Sequence, residues 1–274
     1  MRLSSTTRLL SNMCKPFTNE IELMKKYGFD GIDFDLNFSI SAVLGENWEV
    51  KVREFSKMAA EENMPVVQTH LPYRIKMPDG KYKGPADYDS IRQAIVATEI
   101  LGAKYAVFHA INPAPPNDGL QMTLDYYGPM VEFAEKHNVK MLVEMMPSFC
   151  YFPITIEELI DTADGLGIGI CWDFGHPNVN TFGKDNDQSD ILKIAGNRVK
   201  ALHVHDNCGG RPDEHLAPYR GSIDWDGIIP VLKEIGYKGD FNFEVLPGAV
   251  PGYATHYLAQ YLVEIGRRFV RMCE

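Results

Sequence analysis

Residues 199–206 read Val-Lys-Ala-Leu-His-Val-His-Asp, an apolar run that ends in polar side chains. Its length fits a buried strand of about 4 to 8 residues. Seven similar runs recur along the chain at roughly 30 to 40 residues, the length of one strand–helix unit. The predicted strands are Leu3–Thr7, Gly31–Leu36, Pro65–Leu71, Tyr105–Ile111, Val139–Met146, Ile168–Phe174, Val199–Asp206 and Asp240–Val245.

Helical patterns occupy the segments between these strands. A capping-box sequence at residues 155–158, Thr-Ile-Glu-Glu, predicts the start of one helix. Strands that alternate with helices indicate a parallel sheet. Eight such units without a break in composition favour an α/β fold, a single (β/α)8 TIM barrel over residues 1–274. The alternative is an open doubly wound sheet, but no G-x-G-x-x-G sequence follows the first strand. Other predicted helices are Phe17–Tyr27, Trp48–Asn63, Tyr88–Leu101, Asp224–Ile235 and Tyr257–Met272.

The composition excludes several classes of protein. The chain has 274 residues, is 45% hydrophobic, and carries a formal net charge of −10. This composition excludes a disordered chain, and the acidic balance argues against a protein that binds nucleic acid through phosphate contacts. The 5 cysteines are scattered, which fits free thiols in a reducing compartment. No apolar run approaches the ~20 residues that cross a bilayer, so we expect a cytoplasmic protein without membrane contact.

Polar side chains gather at the C-terminal ends of the predicted strands, which meet at one mouth of a barrel. A lone histidine or carboxylate there has an ordinary role as a hydrogen-bonded core residue. The lysines nearby start strands and therefore lie at the opposite face. Because buried charges need partners, and imidazole with carboxylate suits zinc, manganese, cobalt or iron, the set predicts a metal site. The residues are His70, His109, Glu144, Asp173, His176, His203, His205, Asp213, His215 and Glu244.

Three short motifs carry a family resemblance. They are Trp-Asp-Phe-Gly-His at 172–176, His-Val-His-Asp-Asn at 203–207, and Asp-Glu-His-Leu at 213–216. With them, the chain resembles the sugar phosphate isomerase/epimerase family of xylose-isomerase-like barrels, which also includes the endonuclease IV type of nuclease. The resemblance implies a divalent ion (Mn, Mg, Co or Zn) on Glu144, Asp173, His203 and Glu244. Nuclease members use a larger ligand set, and this chain matches it too, so the ligands alone do not separate the two branches.

Two positions depart from the family pattern. Ketose 3-epimerases have an arginine six residues past the ligand histidine, where this chain has Gly209. Many relatives have Pro-Gly-x-Gly where residues 218–221 read Pro-Tyr-Arg-Gly. We predict that Arg220 contacts an anionic group of the substrate, since a guanidinium suits phosphate or carboxylate. The alternative is a solvated loop arginine.

The resemblance predicts a divalent-metal-dependent isomerase or epimerase of a sugar, sugar phosphate or related polyol. Glu144 or Glu244 would remove a proton next to a metal-polarised carbonyl, giving an enediolate. One ion suffices for this chemistry, and the other candidates would then bind substrate: His70, His109, His176, His205, Asp213, His215 and Arg220. The alternatives are metal-dependent phosphodiester cleavage at abasic DNA and a non-catalytic sugar-binding barrel. The oligomeric state stays open, and a homo-oligomer is compatible with the sequence.

Overall fold

The computed structural model describes residues 1–15, 18–36, 45–73, 75–76, 82–83, 86–111, 118–146, 155–179, 187–210, 212–248 and 250–274. Within them the strands are β1 Leu3–Thr6, β2 Gly31–Asp35, β3 Val66–His70, β4 Ile75–Lys76, β5 Tyr82–Lys83, β6 Tyr105–Phe108, β7 Lys140–Glu144, β8 Gly169–Asp173, β9 Val199–His203 and β10 Phe241–Phe243.

Eight of these strands form one parallel sheet in the order β10-β1-β2-β3-β6-β7-β8-β9. The two end strands meet through a parallel bridge between Val204 and Phe243, and the Val204 amide donates to the Asn242 carbonyl. The sheet therefore closes on itself, and the predicted (β/α)8 barrel is confirmed. The strands β4 and β5 form a separate antiparallel hairpin in the segment after β3.

Helices follow the strands as the alternating pattern predicts, and their caps explain where they begin. Thr155 and Glu158 form the predicted capping box, and Asp87 and Asp118 accept backbone N–H groups at two other helix starts. The described helices are α1 Glu20–Tyr27, α2 Trp48–Glu61, α3 Tyr88–Ile100, α4 Gly119–Lys136, α5 Ile156–Leu166, α6 Gly175–Val179, α7 Gln188–Ala195, α8 Trp225–Glu234 and α9 Gly252–Cys273.

Several boundaries differ from the sequence prediction. The seventh sheet strand ends at His203, because the chain turns there to pair Asp206 with Leu216 in an antiparallel bridge. The last helix begins at Gly252, directly after Pro251, rather than at Tyr257. The start of the first predicted helix and much of the loops after the third and fourth predicted strands, 72–85 and 112–119, lie outside the described residues.

The strand ends place the polar residues of interest at one mouth. Several sheet strands finish on such a residue: β3 at His70, β7 at Glu144, β8 at Asp173 and β9 at His203. Glu244 directly follows β10. All five side chains are buried. Among the described residues, none of the helices is long and apolar enough to span a membrane.

Candidate metal centre

Glu144 lies at the middle of the cluster and faces three imidazole rings. Its Oε2 atom is 3.0 Å from His109 Nε2 and 3.1 Å from His70 Nε2. Its Oε1 atom is 2.9 Å from His203 Nδ1. Because the carboxylate uses both oxygens toward different neighbours, it is positioned to bridge two adjacent sites.

The first ligand group comprises Glu144, Asp173, His203 and Glu244, all buried, with one donor atom of each within 4.8 Å of the others. Besides its contact with Glu144, His203 Nδ1 lies 3.5 Å from Glu244 Oε2 and 3.9 Å from Asp173 Oδ2. Three carboxylates and one imidazole suit a hard or borderline divalent ion. This is the four-residue set that the family resemblance implies.

The second group comprises His70, His109 and Glu144. The Nδ1 atom of His70 lies 2.9 Å from the Leu71 carbonyl oxygen, which fixes Nδ1 as the N–H donor. The Nε2 atom faces the cluster, 3.0 Å from His109 Nε2 and 3.1 Å from Glu144 Oε2, and in the neutral ring it would offer its lone pair to a metal ion. A carbonyl that orients a histidine in this way is the usual support of a metal-binding imidazole.

The third group comprises His176, His205, Asp213 and His215. His176 and His215 each have Nδ1 held by a backbone carbonyl, that of Met145 at 2.7 Å and that of Glu244 at 2.8 Å. Their Nε2 atoms face Asp213 Oδ2 at 3.3 Å and 3.1 Å. His205 Nε2 instead lies 3.0 Å from Asp173 Oδ2, which connects this group to the first.

The electrostatics of the cluster follow from burial and from opposite charges at close range. Burial raises the pKa of Glu144, but His203 and His109 outweigh it and hold that pKa well below its usual range. Burial also raises the pKa of Glu244, but His203 and His215 outweigh it and lower that pKa to about 2. The pKa of Asp213 is also depressed against burial, because His176 and His215 hydrogen-bond to it. The three carboxylates are therefore ionised at neutral pH.

The histidines respond in the opposite direction. Burial disfavours the charged ring of His176, but Asp173 and Asp213 raise its pKa well above the usual range. Glu244 and Asp213 similarly raise the pKa of His215 to about 9 against burial. Burial dominates at His109, whose pKa is lowered. Without a cation, protons on the rings balance the carboxylates, and a divalent ion would replace those protons. The donor set therefore fits one or more divalent ions.

All ten of the polar residues predicted at the barrel mouth thus fall within these three groups. The family resemblance implies His203 as a metal ligand and leaves His205 as a substrate contact. In the structure the two rings belong to different groups, and His205 stacks on His215 with ring centroids 4.0 Å apart. The substrate contacts expected of the histidines and Asp213 in the second and third groups stay a prediction.

Two supporting residues were not identified from the sequence. Asp206 accepts N–H groups from Asn207, Ile223 and the Trp225 indole, and so fixes both ends of the segment that carries Asp213 and His215. Asn207 donates to the Gly175 carbonyl and to Asp213. The only sequence signal was their polarity within the motif at 203–207.

Among the residues that the structure describes, Arg8 and Arg220 lie on the C-terminal side of the strands. Arg8, in a short 3-10 helix after β1, lies 3.4 Å from Asp35 and 3.8 Å from Glu244. The sequence prediction did not include it. Arg220 is exposed in the turn after Leu216 and has no ion pair with any residue that the structure describes. Its predicted role toward an anionic substrate stays a prediction.

The fold and the ligand arrangement can now be compared with known proteins. The family model described as a xylose isomerase-like TIM barrel matches residues 21–257. The chain belongs to this family. The match covers the strands and loops that supply all three ligand groups.

Curated relatives match shorter stretches of the chain. An uncharacterised protein of Methanocaldococcus jannaschii is 34% identical over 119 residues, which are 42% of this chain and 40% of that protein. The D-psicose 3-epimerase of Enterocloster bolteae is 29% identical over 110 residues, or 39% of this chain and 33% of the epimerase. The chain therefore spans well under half the length of these relatives.

Solved structures of the family superpose over nearly the whole chain. A D-psicose 3-epimerase from Clostridium cellulolyticum H10, solved with D-tagatose, has a TM-score of 0.75 at 16% identity, over 98% of this chain and 99% of that chain. The IolI protein, solved with a bound zinc atom, has a TM-score of 0.73 at 18% identity, over 100% of this chain and 98% of that chain. At such identities the likeness shows the fold alone.

Proposed function

We propose that the protein is a divalent-metal-dependent isomerase or epimerase of a sugar, sugar phosphate or related polyol. One observation carries the proposal: Glu144, Asp173, His203 and Glu244 present donor atoms within 4.8 Å of one another at the buried barrel mouth. Two of these residues are glutamates on strands that are not neighbours in the sheet. The partial match to the D-psicose 3-epimerase of Enterocloster bolteae supports the same class.

A divalent ion at this group would polarise a substrate carbonyl and a neighbouring hydroxyl, which acidifies the adjacent C–H bond. Glu144 and Glu244 are ionised at neutral pH, the state that a proton acceptor needs. One glutamate takes the proton from the carbon next to the carbonyl. Return of the proton by the same residue to the neighbouring carbon isomerises the sugar. For inversion, the other glutamate first takes up a proton from solvent and delivers it to the opposite side of the same carbon, while the first glutamate keeps the abstracted proton.

The experiment is a panel of ketoses, aldoses and their phosphates incubated with metal-loaded protein in deuterated water. We expect one sugar to acquire deuterium at the carbon next to its carbonyl, because proton abstraction exchanges with solvent. The matched control is the double variant Glu144→Gln/Glu244→Gln, which keeps the side-chain shapes and removes both proton acceptors. If no sugar acquires label above the level of this control, the proposal is wrong.

A second candidate is metal-dependent phosphodiester cleavage, and the arrangement around Glu144 favours it. Glu144 belongs to two ligand groups at once, as a carboxylate between two ions does, and a third group adjoins them through His205 and Asp173. Clustered ions about 3.5–4 Å apart stabilise the attacking and leaving oxygens of a phosphodiester. The net charge of −10 opposes a nucleic-acid substrate.

Metal content separates the two candidates. Elemental analysis of protein purified without chelator or added metal should give a ratio near one ion per chain for the isomerase. A reproducible ratio of two or three, with zinc dominant and with cleavage of a duplex that contains an abasic site, would establish the phosphodiesterase instead.

A further inference from the structure

A second polar cluster lies inside the barrel, below the candidate metal centre. Asp33 Oδ2 accepts from Asn242 Nδ2 at 2.7 Å and from Gln68 Nε2 at 3.4 Å. Asn242 Oδ1 in turn accepts from the Ser4 hydroxyl at 2.9 Å. These four side chains come from β1, β2, β3 and β10, and all are buried. A barrel interior is normally filled with branched apolar residues, so a hydrogen-bonded cluster at this depth needs a reason.

The ring of His203 lies between this cluster and the metal centre. Its Nδ1 atom faces Glu144 at 2.9 Å, whereas its Nε2 atom points away from the centre and lies 3.9 Å from Asp33 Oδ2. Both His203 Nε2 and Asp33 Oδ1 are buried and have no hydrogen-bond partner among the described residues. The two groups without partners therefore belong to side chains that face each other.

The chemistry of a metal-bound imidazole assigns these atoms their roles. If Nδ1 gives its lone pair to a cation, the ring's remaining proton is on Nε2 and needs an acceptor. The separation of 3.9 Å is about 1 Å longer than an N–H···O hydrogen bond, so a small rotation of the ring or carboxyl group closes it. The Cys171 thiol also interacts with His203, but sulfur is a weak hydrogen-bond acceptor compared with a carboxylate oxygen.

We propose that Asp33 is a positioning residue for His203: it accepts the Nε2–H group and so holds Nδ1 toward the centre formed with Glu144. The inference rests on the metal site of the proposed function. It also explains why Asn242 and Gln68 donate to Asp33, because their amide groups fix the orientation of the carboxylate. Asp33 itself contacts neither the ion nor the substrate in this role.

The substitution Asp33→Asn tests the assignment, because it keeps the shape and removes one acceptor. Asn242, Gln68 and His203 all face Asp33 Oδ2, and Oδ1 has no partner among the described residues, so a carboxylate has a free oxygen that a small rotation can give to His203. An amide has a single acceptor oxygen, so its NH₂ group would oppose a donor on one side or the other. Loss of such a supporting partner typically lowers metal affinity about 10- to 100-fold.

Two control variants leave the Asp33 carboxylate in place. Ser4→Ala removes a hydrogen bond of the same cluster without touching His203. Cys171→Ala removes the thiol that also interacts with His203. The first readout is the Co²⁺ affinity of chelator-stripped protein, measured by calorimetry. The second is the Nε2–H proton resonance of His203 in ¹⁵N-histidine-labelled protein, identified by its loss in His203→Gln.

We expect Asp33→Asn to weaken Co²⁺ binding about 10- to 100-fold and to shift the His203 Nε2–H resonance, while both controls behave like wild type. Wild-type affinity in Asp33→Asn would overturn the proposal. So would an equal loss in Ser4→Ala, which would mean a general packing effect, or a loss confined to Cys171→Ala, which would make the thiol the partner.

The Nε2–H resonance of His203 also decides between the alternatives in two further cases. If wild-type protein bound no Co²⁺, the proposed metal site would be wrong, and the effect of Asp33→Asn on the His203 resonance would still decide the hydrogen bond. If Asp33→Asn did not fold, the wild-type spectrum would decide: a protected, hydrogen-bonded Nε2–H supports Asp33 as acceptor, and a freely exchanging one overturns it.

Discussion

Glu144 and Glu244 have the same side chain, but the structure gives them different surroundings. Glu144 contributes to two ligand groups, whereas Glu244 contributes to one. Both substitutions to Gln should lower turnover at least ~10²-fold, because each removes a general acid–base group. If both groups that share Glu144 hold an ion, Glu144→Gln should lose more bound metal than Glu244→Gln, since it weakens two adjacent sites. Paired measurements of turnover and metal content test this difference.

The fold should survive both substitutions, which circular dichroism and thermal unfolding would check. Near-normal exchange of substrate hydrogen in either variant would remove that residue from the acid–base role. Equal metal loss in the two variants would argue against Glu144 as a shared ligand.

Arg220 is exposed and has no ion pair with the described part of the chain, so its guanidinium is available to a ligand. We expect Arg220→Ala to raise KM for an anionic substrate about tenfold or more, because hydrogen bonds to charged groups contribute about 1.5–3 kcal/mol. kcat should change little. Arg198→Ala is the matched control: Arg198 is partly exposed, pairs with Asp164 at 2.7 Å, and precedes β9 at the opposite face of the barrel. An unchanged KM in Arg220→Ala would establish a solvated loop arginine.

At the scale of elements, the segment between β9 and α8 carries two ligands of the third group, Asp213 and His215. Asp206 fixes it at both ends through the Asn207 and Ile223 amides, and also accepts from the Trp225 indole. The substitution Asp206→Asn leaves one of these buried donors without an acceptor, which costs about 1–3 kcal/mol. If the third group holds an ion, as in the second candidate function, we expect that ion to bind more weakly, while the first group keeps its ion.

The control for this prediction is Asp224→Ala, in the same segment. Asp224 caps α8 by accepting from the Gly227 amide, and its loss should cost about 1 kcal/mol of stability without changing metal affinity. Metal titrations of both variants, normalised to their unfolding free energies, separate positioning from general destabilisation. Equal metal binding by the two variants would contradict the role of Asp206.

At the scale of the whole molecule, the cluster couples stability to pH. The pKa values of His176, His203 and His215 are raised above the unfolded value of about 6.5. Their stabilisation is therefore fully present below pH 6.5 and is lost as pH rises through the folded pKa, which is about 9 for His215. The pKa of His109 is lowered, so this residue reduces the stability of the fold only as pH falls below about 6.5.

We therefore expect the Tm of metal-free protein to fall between about pH 6.5 and pH 9, and added Mn²⁺ or Zn²⁺ to reduce that fall. Calorimetry across this pH range with and without metal is the measurement. A Tm independent of pH in chelator-stripped protein would mean that the rings are not charged in the folded state. A fall that metal does not reduce would argue that the ion does not replace their protons.

The local pattern was sufficient to predict the barrel and the residues at its mouth. Strand and helix periodicity, together with the helix capping signals, depends on residues close in sequence, and parallel strands in a closed sheet necessarily bring their C-terminal ends together. Boundaries were less well predicted. The early end of β9 at His203 depends on the pairing of Asp206 with Leu216, a contact between a strand end and a distant loop.

The sequence by itself determined that His70, Glu144, Asp173, His203 and Glu244 lie at one mouth, because each ends or directly follows a strand. Only the tertiary structure decided how the donors are grouped, with Glu144 shared by two sets and His205 separated from His203. It also decided that Asp33 lies below His203. The reason is physical: distances between side chains on strands far apart in sequence depend on the register and closure of the whole sheet, which no local pattern encodes.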